Sequence, residues 1–240
     1  MNALLVLLLC SGCGRIAFDS VSLTASDAST DAPIDAIETR QVTTTITVDN
    51  AYSFSWRVNS VHGYQFGANS PDTASIFACP LGVGPERVTL DVPVGARLYL
   101  AVWEDPNSIS GVIGEFDGPA GHTLTGVGWQ VCAIGEPYDV NGPGPTPERI
   151  QSAIDDCDAG QNVASGGWVD TTGAVTPGAT GKLFVGEQND SDAGTWPTVC
   201  ATEMPVTPRW MCWDPMNGGA DFDNTGDRMQ PFQLFRAPPL

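Results

Sequence analysis

The chain has 240 residues, enough for one large core or two small ones, and its 27 glycines, 19 prolines and 16% charged residues mark a turn-rich, mainly β protein. Its 28 acidic residues against 10 basic ones leave a formal charge of -18, which repels phosphate backbones and anionic headgroups and excludes nucleic acid as a partner. Lys182 is the single lysine beside nine arginines, and no polybasic run is present to hold a membrane surface.

The first element is a leader. "MNALLVLLLC" carries an apolar run of about eight residues, too short to cross a bilayer, which takes roughly 20, but of the length of a signal-peptide core. Ser11 and Gly12 then supply the small side chains a signal peptidase needs, and Cys13 follows at once. This stretch resembles the lipobox of bacterial lipoproteins, in which small residues precede the cysteine that becomes the acylated N-terminus. The resemblance implies removal of residues 1–12, a lipid on Cys13 and attachment to a membrane of the cell envelope. Gly14 differs from the aspartate that retains some lipoproteins at the inner membrane, which favours the outer membrane. An ordinary cleaved secretory signal, or a Cys-x-x-Cys metal or redox pair of Cys10 and Cys13, are the other readings of the stretch.

Residues 13–40 follow as the lipid-anchored cysteine and a tether. Within them "DSVSLTASDASTDAPIDAIETR", residues 19–40, is built from Ala, Ser, Thr and Asp with no aromatic side chain, and buries too little apolar surface to offset the entropy of ordering.

From residue 41 to 240 a single β-sandwich domain is expected. "VTTTITV", "AYSFSWRV", "TASIFAC", "RVTLDV", "RLYLAVW", "SGVIGEF" and "GWQVCAI" are short runs rich in β-branched and aromatic residues bounded by turn residues, about seven strands between residues 41 and 134. "PTPERIQSAIDDCDAG", residues 145–160, breaks the series. Thr146 can cap, Pro147 suits the first helical position, Ile150, Ala153, Ile154 and Cys157 share one face, and Gly160 ends a short helix. Strands return at "GKLFV", "RWMCW" and "PFQLFR", separated by long Gly/Asp-rich loops.

Several of these pieces resemble the galactose-binding-like jelly rolls of extracellular proteins. "ITVDNAYSFSWRVNS" is similar to that family's opening strand, with Asp49, Asn50, Tyr52 and Asn59 at its marked positions, and it implies a hairpin near the Asn. "LYLAVWEDPNSISGVIGEF", "QNDSDAGTWP", "RWMCWDP" and "FQLFR" follow in the family's order. The resemblance implies an antiparallel jelly-roll sandwich with one inserted helix, used for binding or spacing and not for catalysis.

With Cys13 acylated, five cysteines remain in a compartment where disulfides persist. Cys132 with Cys157 would staple the helix to the strand before it, Cys200 with Cys212 would close a short loop, and Cys79 would be left over; a pairing that brings Cys79 in is an equally open alternative.

Usual catalytic parts are missing from the sequence. It holds two histidines, His62 and His122, no Gly-x-Ser-x-Gly and no His-Glu-x-x-His. Glu104, Asp105, Glu115 and Glu136 could supply a carboxylate pair for glycoside hydrolysis, but they read more simply as solvated turn and rim charges. A non-catalytic module is therefore expected, binding carbohydrate or another surface ligand, with an assembly role on another envelope protein as the alternative. Among seven tryptophans Trp168, in the Gly-rich "SGGWVD", is the expected exposed platform for a sugar, while the others lie in strand runs that must be half-buried. No cofactor is expected; the acidic loop before the last strand reads first as an ordinary solvated turn, with a structural calcium ion as the alternative. In "DFDNTGD" Asp221, Asp223 and Thr225 alternate, Gly226 sits sixth and Asp227 adds an oxygen. Phe232 stands where a helix-loop-helix calcium loop has Glu, so a remote ligand would complete the shell.

Overall fold

A computed structural model describes residues 38–49, 51–58, 61–69, 85–103, 111–119, 121–139, 142–190, 200, 203–215 and 232–239, with the strand at 61–69 described by its backbone pairing. The strands are β1 (Thr39–Asp49), β2 (Ala51–Val58), β3 (Val61–Asn69), β4 (Glu86–Pro93), β5 (Arg97–Trp103), β6 (Gly111–Gly118), β7 (Gly121–Leu124) and β8 (Gln130–Ala133). The helix α1 (Pro147–Ala159) follows, then β9 (Val169–Asp170), β10 (Gly173–Ala174), β11 (Lys182–Gln188), β12 (Arg209–Asp214) and β13 (Phe232–Arg236).

These strands form two antiparallel sheets. The first runs β11-β12-β6-β1-β4, with β7 also on β6, and the second runs β10-β9-β8-β13-β5-β2-β3. Period-two alternation turns Val42, Ile46 and Val48 of β1 and Phe116 of β6 toward Phe54 of β2, Leu98 and Leu100 of β5 and Phe235 of β13, so one apolar core lies between the sheets. The expected mainly β sandwich is therefore present, with one short helix among the described residues.

Two strands read as continuous apolar runs because both of their faces are covered. In β5, Leu98, Leu100 and Val102 enter the inter-sheet core while Tyr99 and Ala101 pack under α1. In β12, Met211 and Trp213 face the core, and Trp210 and Cys212 join Ile113, Cys200 and Met204 in a separate cluster on the outer face.

Helix α1 follows its sequence signals closely. Thr146 Oγ1 accepts a hydrogen bond from the Arg149 amide at 3.3 Å, Pro147 opens the helix, and Gly160 closes it at φ 71°. Ile150, Ala153, Ile154 and Cys157 are its buried residues and lie on β8, β5 and β13. The strand count between residues 41 and 134 needs correction. Eight strands are described up to Ala133, because β3 and β7 add partners that their Gly-containing sequences hide, while "TASIFAC" lies outside the described residues. Gly63 of β3 stands opposite Trp56 of β2, and a Cβ there would clash with the indole, so the missing side chain makes room for that ring.

Candidate functional site

Trp168 is not a platform for sugar: it is 1% exposed and belongs to the cluster beneath α1. Its Nε1 donates to Asp158 Oδ1 at 2.7 Å, and Tyr99 and the Arg236 guanidinium lie against its ring. The flanking Gly166 and Gly167, which suggest an open loop in the sequence, instead permit close packing. Gly166 adopts φ 76°, and a Cβ on Gly167 would meet Thr176 at 2.6 Å. A buried indole with its N–H satisfied is a structural anchor. Arg57 donates to Asp155 and Asp158 at 3.0 and 3.2 Å, so β2 is tied to the same helix end.

Two of the sequence-predicted cysteines are joined and two are not. Cys132 and Cys157 form a disulfide with their Cα atoms 6.2 Å apart, stapling β8 to α1. Cys200 is disulfide-bonded, whereas Cys212 keeps its thiol and is buried, so the expected pair of Cys200 with Cys212 is corrected. With Cys132 and Cys157 holding each other, the partner of Cys200 lies outside the described residues. Cys200 and Cys212 share the outer-face cluster with Ile113 and Trp210, yet the bond of Cys200 is made to another cysteine, a choice that spacing along the chain does not reveal.

A third arrangement brings together residues of two paired strands. Strands β6 and β7 form a hairpin in which Asp117 faces His122 and Glu115 faces Leu124. Residues i and i+2 share a strand face, and directly opposed residues share it too, so Glu115, Asp117 and His122 project together. His122 Nδ1 lies 2.5 Å from Asp117 Oδ1, and Nε2 lies 4.0 Å from Glu115 Oε2. One ligand atom from each of the three residues falls within 4.8 Å of the others, making them the group among the described residues able to hold a metal ion.

The base of this hairpin is fixed. Leu124 O accepts from Trp129 Nε1 at 2.9 Å, Gly114 N donates to Thr125 Oγ1 at 3.0 Å, and that hydroxyl donates to Arg209 O at 2.7 Å. The carboxylate-bearing end stays near solvent, with the Glu115, His122 and Asp117 side chains 19%, 47% and 55% exposed. The signal that finds this group is "EFDGPAGH": alternate acids, a Gly-bounded turn and a His at the start of the return strand.

Of the other candidate carboxylates, Glu136 accepts from Arg149 Nε at 2.7 Å and from Tyr138 OH at 3.1 Å beside the start of α1. Glu104, Asp105, Cys13, Cys79 and the loop of Asp221, Asp223, Thr225 and Asp227 lie outside the described residues, as does the side chain of His62. No protein-family model, no curated protein and no solved structure matches the chain.

Proposed function

We propose that this chain is a cell-envelope lipoprotein, acylated at Cys13 and held at the outer membrane, that displays a non-catalytic β-sandwich binding module. The observation that carries this reading is the order along the chain. A short apolar run ends at Ser11-Gly12-Cys13, an Ala/Ser/Thr/Asp stretch follows, and the first described strand starts at Thr39. The motif order that resembles the galactose-binding-like jelly rolls supports that family for the sandwich, and two antiparallel sheets around one core are consistent with it. Mass spectrometry of the mature N-terminus tests the anchor. A diacylglycerol-modified Cys13 is expected, Cys13→Ala should release the protein from the membrane fraction, and an unmodified Cys13 thiol in membrane-extracted protein overturns the proposal.

For the ligand, we read another protein of the envelope as the class to test first. Sugar sites stack a ring on an exposed aromatic face, and every aromatic side chain among the described residues is buried or half-buried. Carbohydrate is the second reading, and a glycan array separates the two: a saturable glycan response would restore it. Carboxylate-based glycoside hydrolysis is a third, answered by a turnover assay with Glu115→Gln as control.

A further inference from the structure

We propose that Glu115, Asp117 and His122 form a binding site for a divalent transition-metal ion of the zinc class on the outer face of the β6–β7 hairpin. Charge gives the first reason. Asp155 and Asp158 pair with Arg57, Asp158 also with Arg236, Glu136 with Arg149, and Asp214 with Lys182. Glu115 and Asp117 meet only His122 among the described residues, so two carboxylates converge on one imidazole with no Lys or Arg between them. Their opposite neighbours on β1, Thr45 and Thr43, are neutral. A divalent cation would relieve this concentration of negative charge.

Donor chemistry gives the second. One imidazole nitrogen and two carboxylate oxygens match zinc, which takes nitrogen at about 2.0–2.1 Å and oxygen at about 2.0–2.2 Å. Calcium and magnesium prefer all-oxygen shells and more ligands than this face offers. Four tetrahedral ligands at such lengths stand roughly 3.3 Å apart. Asp117 and His122 at 2.5 Å must therefore part by a little, which side-chain rotation at the solvent end of the hairpin permits, while the fixed base keeps all three on one face. Three protein ligands leave a fourth position for water or for a donor atom of another molecule. The site is independent of the anchoring and ligand class argued above.

The test is titration of the purified full-length chain, stripped with chelator, with zinc chloride by calorimetry, alongside calcium chloride. The expected result is saturable binding of one zinc ion per chain, at least about tenfold weaker in His122→Ala and in Asp117→Asn, with no competition from calcium at equal concentration. All three side chains reach solvent, so both variants should keep the wild-type melting temperature without metal; cobalt in place of zinc should give a ligand-field spectrum that His122→Ala loses. Absence of saturable zinc binding overturns the proposal. So does binding that neither substitution weakens, since the ion would then sit elsewhere.

Discussion

The Arg236 guanidinium lies 4.2 Å above the Trp168 ring, and both side chains donate to the same oxygen, Asp158 Oδ1, at 2.8 and 2.7 Å. Strand β13, the loop after α1 and the helix itself thus meet at one carboxylate. Burial, and next the nearby Arg97 guanidinium, push the Arg236 pKa down from its ordinary value, and Tyr99 and then Asp158 oppose this.

Removing Trp168 should therefore act on stability and not on ligand contact. Trp168→Ala is expected to cost about 3–5 kcal/mol through the cavity it leaves, and Trp168→Phe about 1–2 kcal/mol through the lost donor to Asp158, both read by urea denaturation. A Trp168→Ala protein with unchanged stability and lost ligand binding would return this residue to a binding role.

The Cys132–Cys157 bridge encloses a separation of 25 residues, and replacing both cysteines by Ala should lower stability by about 3.5 kcal/mol in the chain-entropy model. Mapping of non-reduced peptides, with thiols blocked before digestion, should recover that cross-link and find Cys212 alkylated only after denaturation. A peptide joining Cys200 to Cys212 would contradict the pairing.

Alkaline pH should weaken the fold around Tyr99. Burial first, and then the charge of Asp158, raise its pKa, and Tyr138 is raised by burial and by its hydrogen bond with Glu136. The folded state then holds these phenol protons more tightly than the unfolded chain. Their contribution is complete below the unfolded value of about 10 and is lost as pH rises through the folded values. The urea midpoint should fall above about pH 10, and less steeply in Tyr99→Phe. Parallel curves for the two proteins would remove Tyr99 as a source.

If calcium is held by Asp221, Asp223, Thr225 and Asp227, the alternative to an ordinary turn, calcium should raise the melting temperature and chelator lower it, an effect that Asp223→Ala abolishes and His122→Ala leaves intact. Identical curves with calcium and with chelator would make the loop an ordinary turn.

Features written over short stretches could be read from the sequence alone. The helix was legible because Thr146, Pro147, Gly160 and the spacing of Ile150, Ala153, Ile154 and Cys157 are consequences of local backbone geometry. The sandwich class was legible because β-branched alternation has a period that only a strand satisfies. The Cys132–Cys157 pairing followed from one helix lying on the strand before it. Tertiary structure alone decided the fate of Trp168, whose indole is enclosed by Asp158 and by Arg236, 68 positions further on. It also decided the thiol of Cys212, which stays unbonded in the cluster it shares with the disulfide-bonded Cys200, and the meeting of Glu115, Asp117 and His122, which depends on a turn carrying β7 back along β6 in one register. Periodicity states which way a side chain points along its own strand. What it meets there depends on sheet order and on what covers each face, and those are set by burial summed over residues far apart in the chain.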